Sequence, residues 1–235
     1  MRNNFATMTT AVLSFLVLMV TSSHLGADDA SDGKRLFDGK TLKGWEGKSE
    51  FWSVQDGAIT GQTTAENPTK GNTFLIWRGG ELGNFELTVQ FRIVGHNSGI
   101  QYRSEELDDF VVKGYQADFM DGDRYMGILY EEKGRGILAL RGQKVVIGED
   151  GKKEVVGKTC DDEEVLGSIQ KHGWNTYTIT AQGNHLVQKI NGFTTVDVTD
   201  NQSSHSKAKG ILALQLHAGP PMLVQFKDII LKELK

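Results

Sequence analysis

The chain has 235 residues, enough for one sizeable domain, and its 26 basic against 30 acidic side chains leave a formal net charge of −4. An acidic balance of this kind makes nucleic acid a poor partner. The single cysteine, Cys160, excludes an internal disulfide, so the core must hold by packing, and the acidic run beside it at 161–164 disfavours a reactive thiolate.

The first 27 residues combine Arg2, an apolar stretch at 11–20 and small residues ending at Ala27, which is the pattern of a secretory signal peptide. The apolar run is shorter than the roughly 20 residues that span a bilayer. Cleavage near Ala27 is therefore expected, with export to the periplasm or the extracellular space and no membrane span in the remaining chain. Loss of the leader removes Arg2 and takes the formal charge from −4 to −5. A short polar linker at 28–34 then leads into one domain at 35–235.

From there strand-like runs recur about every ten residues. They fall at 51–54, 58–61, 74–78, 85–94, 99–103, 115–120, 126–132, 136–141, 144–147, 175–182, 185–190, 194–198, 211–217 and 223–232. The 28 glycines, against 3 prolines, supply tight turns between them. Asn191-Gly192 is the clearest hairpin signal, because both residues tolerate the positive φ of a type I′ turn, and Asp56-Gly57 repeats it. One segment, 161–171, has helical spacing, with Val165, Leu166 and Ile169 on one face after an acidic first turn. So many strands beside one short helix predict an all-β fold, a two-sheet sandwich or a barrel. Trp45, Trp52, Phe85, Phe91, Trp174 and Phe226 are expected in its core.

Three strand-like runs carry polar residues at alternate positions. In 97–103, Gly99, Gln101 and Arg103 share a face; in 115–120, Gln116 and Asp118 do; in 211–217, Gln215 and His217 do. Gln, Arg, Asp and His flanked by small residues suit hydrogen bonding to a hydroxyl-rich ligand above the sheet. The run at 126–132 follows a D-G-D-R turn at 121–124, read as a turn and not as part of a calcium loop. A two-residue turn would set Gly127 and Leu129 on the side of Asp118. An odd-length loop or a bulge would bring Ile128, Tyr130 and Glu132 there. The second register is preferred, because the first buries Glu132 and leaves Leu129 wet; Glu131 is then the outward charge. Trp77, followed by Arg78, is placed on the groove rim, where it would stack on a sugar face.

Asp118 is the first choice as base, with His217 as acid or base, Arg103 as a clamp on a developing oxyanion and Glu132 as a second carboxyl. Asn97, Gln101, Gln116, Tyr130 and Gln215 would orient substrate hydroxyls. No cofactor motif is evident: there is no G-x-S-x-G, Walker loop or H-E-x-x-H. Asp118, Glu132 and His217 leave a divalent metal open, though their spacing is not diagnostic.

The ordered motifs RLFDGKTLKGW (35–45), FWSVQDGAITG (51–61), NFELTVQFRI, NSGIQYR, GYQADFMD, MGILYEE, GWNTYTI and GILALQLHAGPPMLVQFKDIILKEL resemble the 3-keto-disaccharide hydrolase family across the chain after its leader. The resemblance implies a concanavalin A-like jelly roll exported by a sugar-degrading bacterium. It also implies cleavage of glycosides whose ring is oxidised at C3, by hydrolysis or by removal of the C2 proton and elimination. The family's NSG-x-x-x-R segment falls on Asn97, Ser98, Gly99 and Arg103, and its L-Q-x-H strand on Leu214, Gln215 and His217; where many members have Glu-x-Gln, this chain has Gln116 and Asp118. The alternative is a non-catalytic, lectin-like carbohydrate-binding module. A groove dominated by titratable groups favours the enzyme.

Overall fold

Along the strand Phe85–Val94, buried Phe85, Leu87, Val89, Phe91 and Ile93 alternate with more exposed Glu86, Thr88, Gln90 and Arg92. That period of two is what a strand covered on one face requires. The same pattern recurs in Asn175–Gln182 and His185–Ile190, and two stacked sheets result. The computed structural model describes residues 33–235 together with Met1. The rest of the expected leader, and residues 28–32 of the expected linker, lie outside the described residues.

One sheet has ten strands. Its path runs Lys153–Lys158, Gln143–Ile147, Phe193–Asp200, His185–Ile190, Asn175–Gln182, Phe85–Val94, Met222–Glu233, Ala58–Thr63 and Trp52–Gln55, with Lys34–Arg35 pairing on Met222–Glu233. The other has seven, in the order Gly136–Ala139, Leu129–Glu132, Val112–Met120, Asn97–Glu106, Ile211–Leu216, Thr73–Trp77 and Trp45–Glu46. All neighbours are antiparallel except Gln143–Ile147 with Phe193–Asp200. The expected two-sheet sandwich is therefore present. Its core lies between the sheets, where Phe91, Phe119, Tyr177 and Phe226 pack ring against ring.

Asn191 (φ 49°) and Gly192 (φ 89°) adopt the two positive angles of the expected hairpin, as do Asp56 and Gly57. The helix spans Asp162–Ser168, shorter than the 161–171 spacing, and buries Val165. The first strand begins at Lys34, the last residue of the expected linker. Lys153–Lys158, which no alternation marks, is an exposed, lysine-bearing edge strand. Trp174 is not in the core: half-buried on the outer side of the ten-stranded sheet, it lies under the cations of Arg92 and Lys227. Among the described residues no helix is long and apolar enough to cross a membrane.

The hairpin that sequence left open is settled by its loop. The second strand starts at Leu129, and residues 121–128 form a long connection. Gln116 pairs with Tyr130 and Gly114 with Glu132, so Tyr130 and Glu132 share the face of Gln116 and Asp118, as preferred. Glu131 is a correction: opposite Tyr115, it points towards the other sheet, 6% exposed, and is held by Arg135.

Candidate functional site

A cleft of about 300 Å³ lies on the outer face of the seven-stranded sheet, the face turned away from the core. Four of its strands supply walls and floor: Asn97 from one, Gln116 and Asp118 from the next, Tyr130 and Glu132 from the third, and Gln215 with His217 from the end of Ile211–Leu216. Asn72, Tyr125, Ile128 and Ile137 complete it. Small residues keep the floor low. Gly99 stands opposite Asp118 and Ala213 opposite Gln101. A Cβ on Gly99 would come within 2.3 Å of Gln116 Cγ, so only glycine lets Gln116 lie across the sheet.

The floor is a directed chain of hydrogen bonds. Ser104 Oγ donates to Gln101 Oε1 (2.9 Å), Gln101 Nε2 to Gln116 Oε1 (2.7 Å), and Gln116 Nε2 to Asp118 Oδ1 (2.5 Å). Asn97 Nδ2 donates to Asp118 Oδ2 at 2.9 Å. Each amide is thus oriented by the one beneath it, and the last presents N–H to the carboxylate.

Asp118 is 5% exposed, and burial pushes its carboxyl up to about 7. The Asn97 and Gln116 donors oppose the rise, while the nearby Glu132 adds to it. Burial likewise raises Glu132, against the opposing effects of Lys133, Asn72 and Gln215. Tyr130 is raised by burial and by both carboxylates, so its hydroxyl keeps its proton. His217 Nδ1 lies 2.5 Å from the Ala218 carbonyl oxygen. A carbonyl oxygen only accepts, so Nδ1 is the donor in that contact. Gln215 is fully buried; its Nε2 reaches Glu132 at 3.4 Å, and its Oε1 has no partner.

Seven of the residues proposed from sequence therefore line one cleft: Asn97, Gln116, Asp118, Tyr130, Glu132, Gln215 and His217. Gln101 lies beneath it, 0% exposed, as part of the floor. Arg103 is a correction. The pairing of Asn97–Glu106 with Val112–Met120 shifts register between Tyr102 and Glu105, and Arg103 takes a left-handed φ of 47°. The bulge turns the guanidinium away from the cleft, onto the carbonyls of Gly83, Gly183 and Lys207 and onto Asn84 Oδ1. Trp77 is a second correction. It pairs with Trp45 at the inner face, 7% exposed, in the core cluster with Leu75.

Asn72, Tyr125 and Ile137 were not read from the sequence. Asn72 and Tyr125 sit in loops that no periodicity organises. Ile137 did carry a signal: it pairs with Tyr130, and strand alternation from there assigns its face. Among the described residues no group of three or more His, Cys, Asp or Glu side chains is placed to hold a metal ion.

The fold recurs in known structures. A Parabacteroides distasonis protein provisionally described as a glycosyl hydrolase matches at 22% identity, over 86% of this chain and 98% of its own, with a TM-score of 0.56. The carbohydrate-binding module CBM66 from Bacillus subtilis matches at 11% identity, over 81% and 96% of the two chains, with a TM-score of 0.54. A Bacillus licheniformis beta-glucanase matches at 11% identity, over 86% and 97%, with a TM-score of 0.50. These likenesses establish the jelly-roll sandwich; fold alone does not carry activity. No curated protein matches the chain. The profile of the 3-keto-alpha-glucoside-1,2-lyase-like domain covers residues 32–232, and the chain belongs to that family.

Proposed function

We propose that the protein is an exported enzyme that cleaves 3-keto-glycosides in the outer-face cleft. The observation that carries this reading is Asp118, a buried carboxyl pushed up to about 7 that lines the cleft together with Tyr130 and Glu132. A base titrating near neutrality is matched to a carbon acid of moderate acidity. A ketone at C3 acidifies the C2 proton. Asp118 takes that proton, the electron pair moves into the C2–C3 bond, and the carbonyl oxygen becomes an enolate. Collapse of the enolate forms the C1–C2 double bond and breaks the bond from C1 to the glycosidic oxygen. That oxygen takes a proton from an acid in the cleft, for which Tyr130 and Glu132 are the candidates. Water adding to C1, with a proton returned to C2, completes net hydrolysis.

The expected leader at 1–27 belongs to the same reading, and N-terminal sequencing of the protein recovered outside the cytoplasm tests it. The activity is tested by following a 3-keto-glucoside in deuterated water by NMR. Deuterium at C2 of the product is the expected result for the parent, and its loss in Asp118→Asn. Turnover of unoxidised glycosides at the same rate would overturn the ketone-dependent route. Sugar binding without turnover would instead favour a lectin-like module, the reading to which the likeness to CBM66 lends support.

A further inference from the structure

Residues 121–128 join two strands of the cleft, and Tyr125 and Ile128 of that loop line it. The end of the loop also grips Asp118 by its backbone. Asp118 donates its N–H to the Ile128 carbonyl at 3.1 Å, and its own carbonyl accepts the Gly127 N–H at 2.9 Å. Whatever fixes the peptide before Gly127 therefore bears on Asp118 and Tyr125 together.

A side chain outside the cleft does so. Arg141 lies in the connection between the two sheets, in a turn closed by the Gln143 N–H on the Leu140 carbonyl at 3.1 Å, with Gly142 at φ 80°. Its Nη1 donates to the Asp123 carbonyl at 2.6 Å and to the Met126 carbonyl at 2.8 Å. Its Nε and Nη2 donate to the two carboxylate oxygens of Asp162, at 3.2 Å each, where the helix begins. Four of the five guanidinium donors are thus committed, and the side chain is 9% exposed. Tyr125 lies between the two carbonyls held in this way. The Met126 carbonyl and the Gly127 N–H belong to one planar peptide and point in opposite directions, so Arg141 holds one end of that plane and Asp118 the other. Both segments also rest on Thr195: its carbonyl accepts the Gly142 N–H at 2.7 Å, and a Cβ on Gly127 would come within 2.9 Å of its Cγ2.

We propose that Arg141 is a positioning residue, which acts through the Met126–Gly127 peptide to set Asp118 and Tyr125 in the cleft. Its part in catalysis rests on the cleavage reading above; the clamp itself does not. A base displaced by a fraction of an ångström from its proton loses rate, and a loosened loop loses contact with substrate, so both kcat and KM depend on Arg141.

The clamp is tested by amide hydrogen exchange in the full chain, followed by NMR. In Arg141→Met the Gly127 and Asp118 amides should exchange at least tenfold faster, with the Ile179 amide in the ten-stranded sheet unaltered. If that variant does not fold, Asp162→Asn, changed at a largely exposed carboxylate, gives the reading, with about threefold faster exchange at Gly127 expected. Unaltered exchange at Gly127 in a folded variant overturns the clamp. On a 3-keto-glucoside, Arg141→Met should lower kcat about tenfold and raise KM about threefold, whereas a mere loss of folded molecules would lower kcat alone. Arg141→Lys, whose ammonium still donates to carbonyls, should recover most of both. Parent values of kcat and KM in Arg141→Met, with Gly127 exchanging faster, overturn the positioning role. If the parent itself does not turn over the compound, the cleavage reading fails and exchange alone decides the clamp.

Discussion

Glu131 and Glu132 are neighbours in the chain and face opposite sides of one sheet. On the inner side, Glu131 takes the Arg135 backbone N–H and Nε at 2.7 Å each, and Arg135 spreads its remaining donors over Glu131, Asp200 and Gln202. Tyr115 closes the cluster by donating to Asp200 at 2.5 Å. On the outer side, Glu132 has amide partners and the field of Lys133, and the residue beside it, Gln215, keeps an open acceptor. Two carboxylates show the consequence. Burial works to raise both Asp200 and Asp118, but the Arg135 and Tyr115 hydrogen bonds bring Asp200 below its usual range, whereas Asp118 rises to about 7. Buried polarity by itself marks no function; a closed set of partners marks a fixed joint between sheets, and an open set marks a place for a ligand.

The comparison is tested most severely by Arg135→Met. Removing the shared cation strands two buried carboxylates, and a loss of about 3–5 kcal/mol in urea unfolding at pH 7 is expected. A loss below about 1 kcal/mol would mean that the inner cluster is not a closed joint. Asp118→Asn should do the reverse. Asp118 has a folded value near 7, well above that of a free aspartate, so its burial destabilises the parent progressively as pH rises from about 4 to 7. The variant lacks that pH-dependent cost, though its own amide N–H must face one of the two donors, so its stability relative to the parent should rise by up to about 4 kcal/mol between pH 4 and pH 8. Asp200 has the opposite sign: its stabilisation is present above the unfolded carboxylate range and is lost as pH falls through its lowered value. A stability difference between the parent and the Asp118→Asn variant that does not change from pH 4 to pH 8 would remove the strain assigned to the cleft.

Gly99→Ala comes next in size. The added methyl meets Gln116 at 2.3 Å in a floor with no slack, and overpacking of this kind costs about 1–3 kcal/mol. Activity should fall with it, because Gln116 must leave Asp118; unchanged activity in a folded variant would show that the Gln116 contact is dispensable.

The cleft was legible because strand periodicity is local. Once Gln116 and Asp118 were placed on one face, Tyr130 and Glu132 followed from which residues had to stay dry. Arg103 was misplaced because a bulge inverts faces without any change in the side-chain pattern. Its trace lies in two neighbouring glycines: a Cβ on Gly114 would strike Ser104 Oγ at 2.5 Å, and one on Gly210 the Arg103 carbonyl carbon at 2.5 Å. Trp77 could have been read correctly, since alternation puts it with Leu75 and away from Phe74 and Ile76, which pack in a separate outer cluster with Val112 and Ala213. Asn72 could not, because its place beside Glu132 is made by the Ala218 backbone, 146 residues away.

The finest test of the outer network is Gln101→Leu, which touches neither the cleft nor Asp118. Gln101 is fully buried, and leucine of similar size fills its place while cutting the chain between Ser104 and Gln116. Gln116 Oε1 then loses the donor that orients it, at a cost of about 1 kcal/mol. The freed amide can turn and offer oxygen in place of N–H to Asp118. A carboxylate facing an acceptor is disfavoured, so the acidic limb of the kcat/KM profile should move upward from about 7 by up to about one unit, with KM little altered. A merely structural role would lower activity at all pH values without moving the limb, and Ser104→Ala, one bond further from the carboxyl, should move it in the same direction by less.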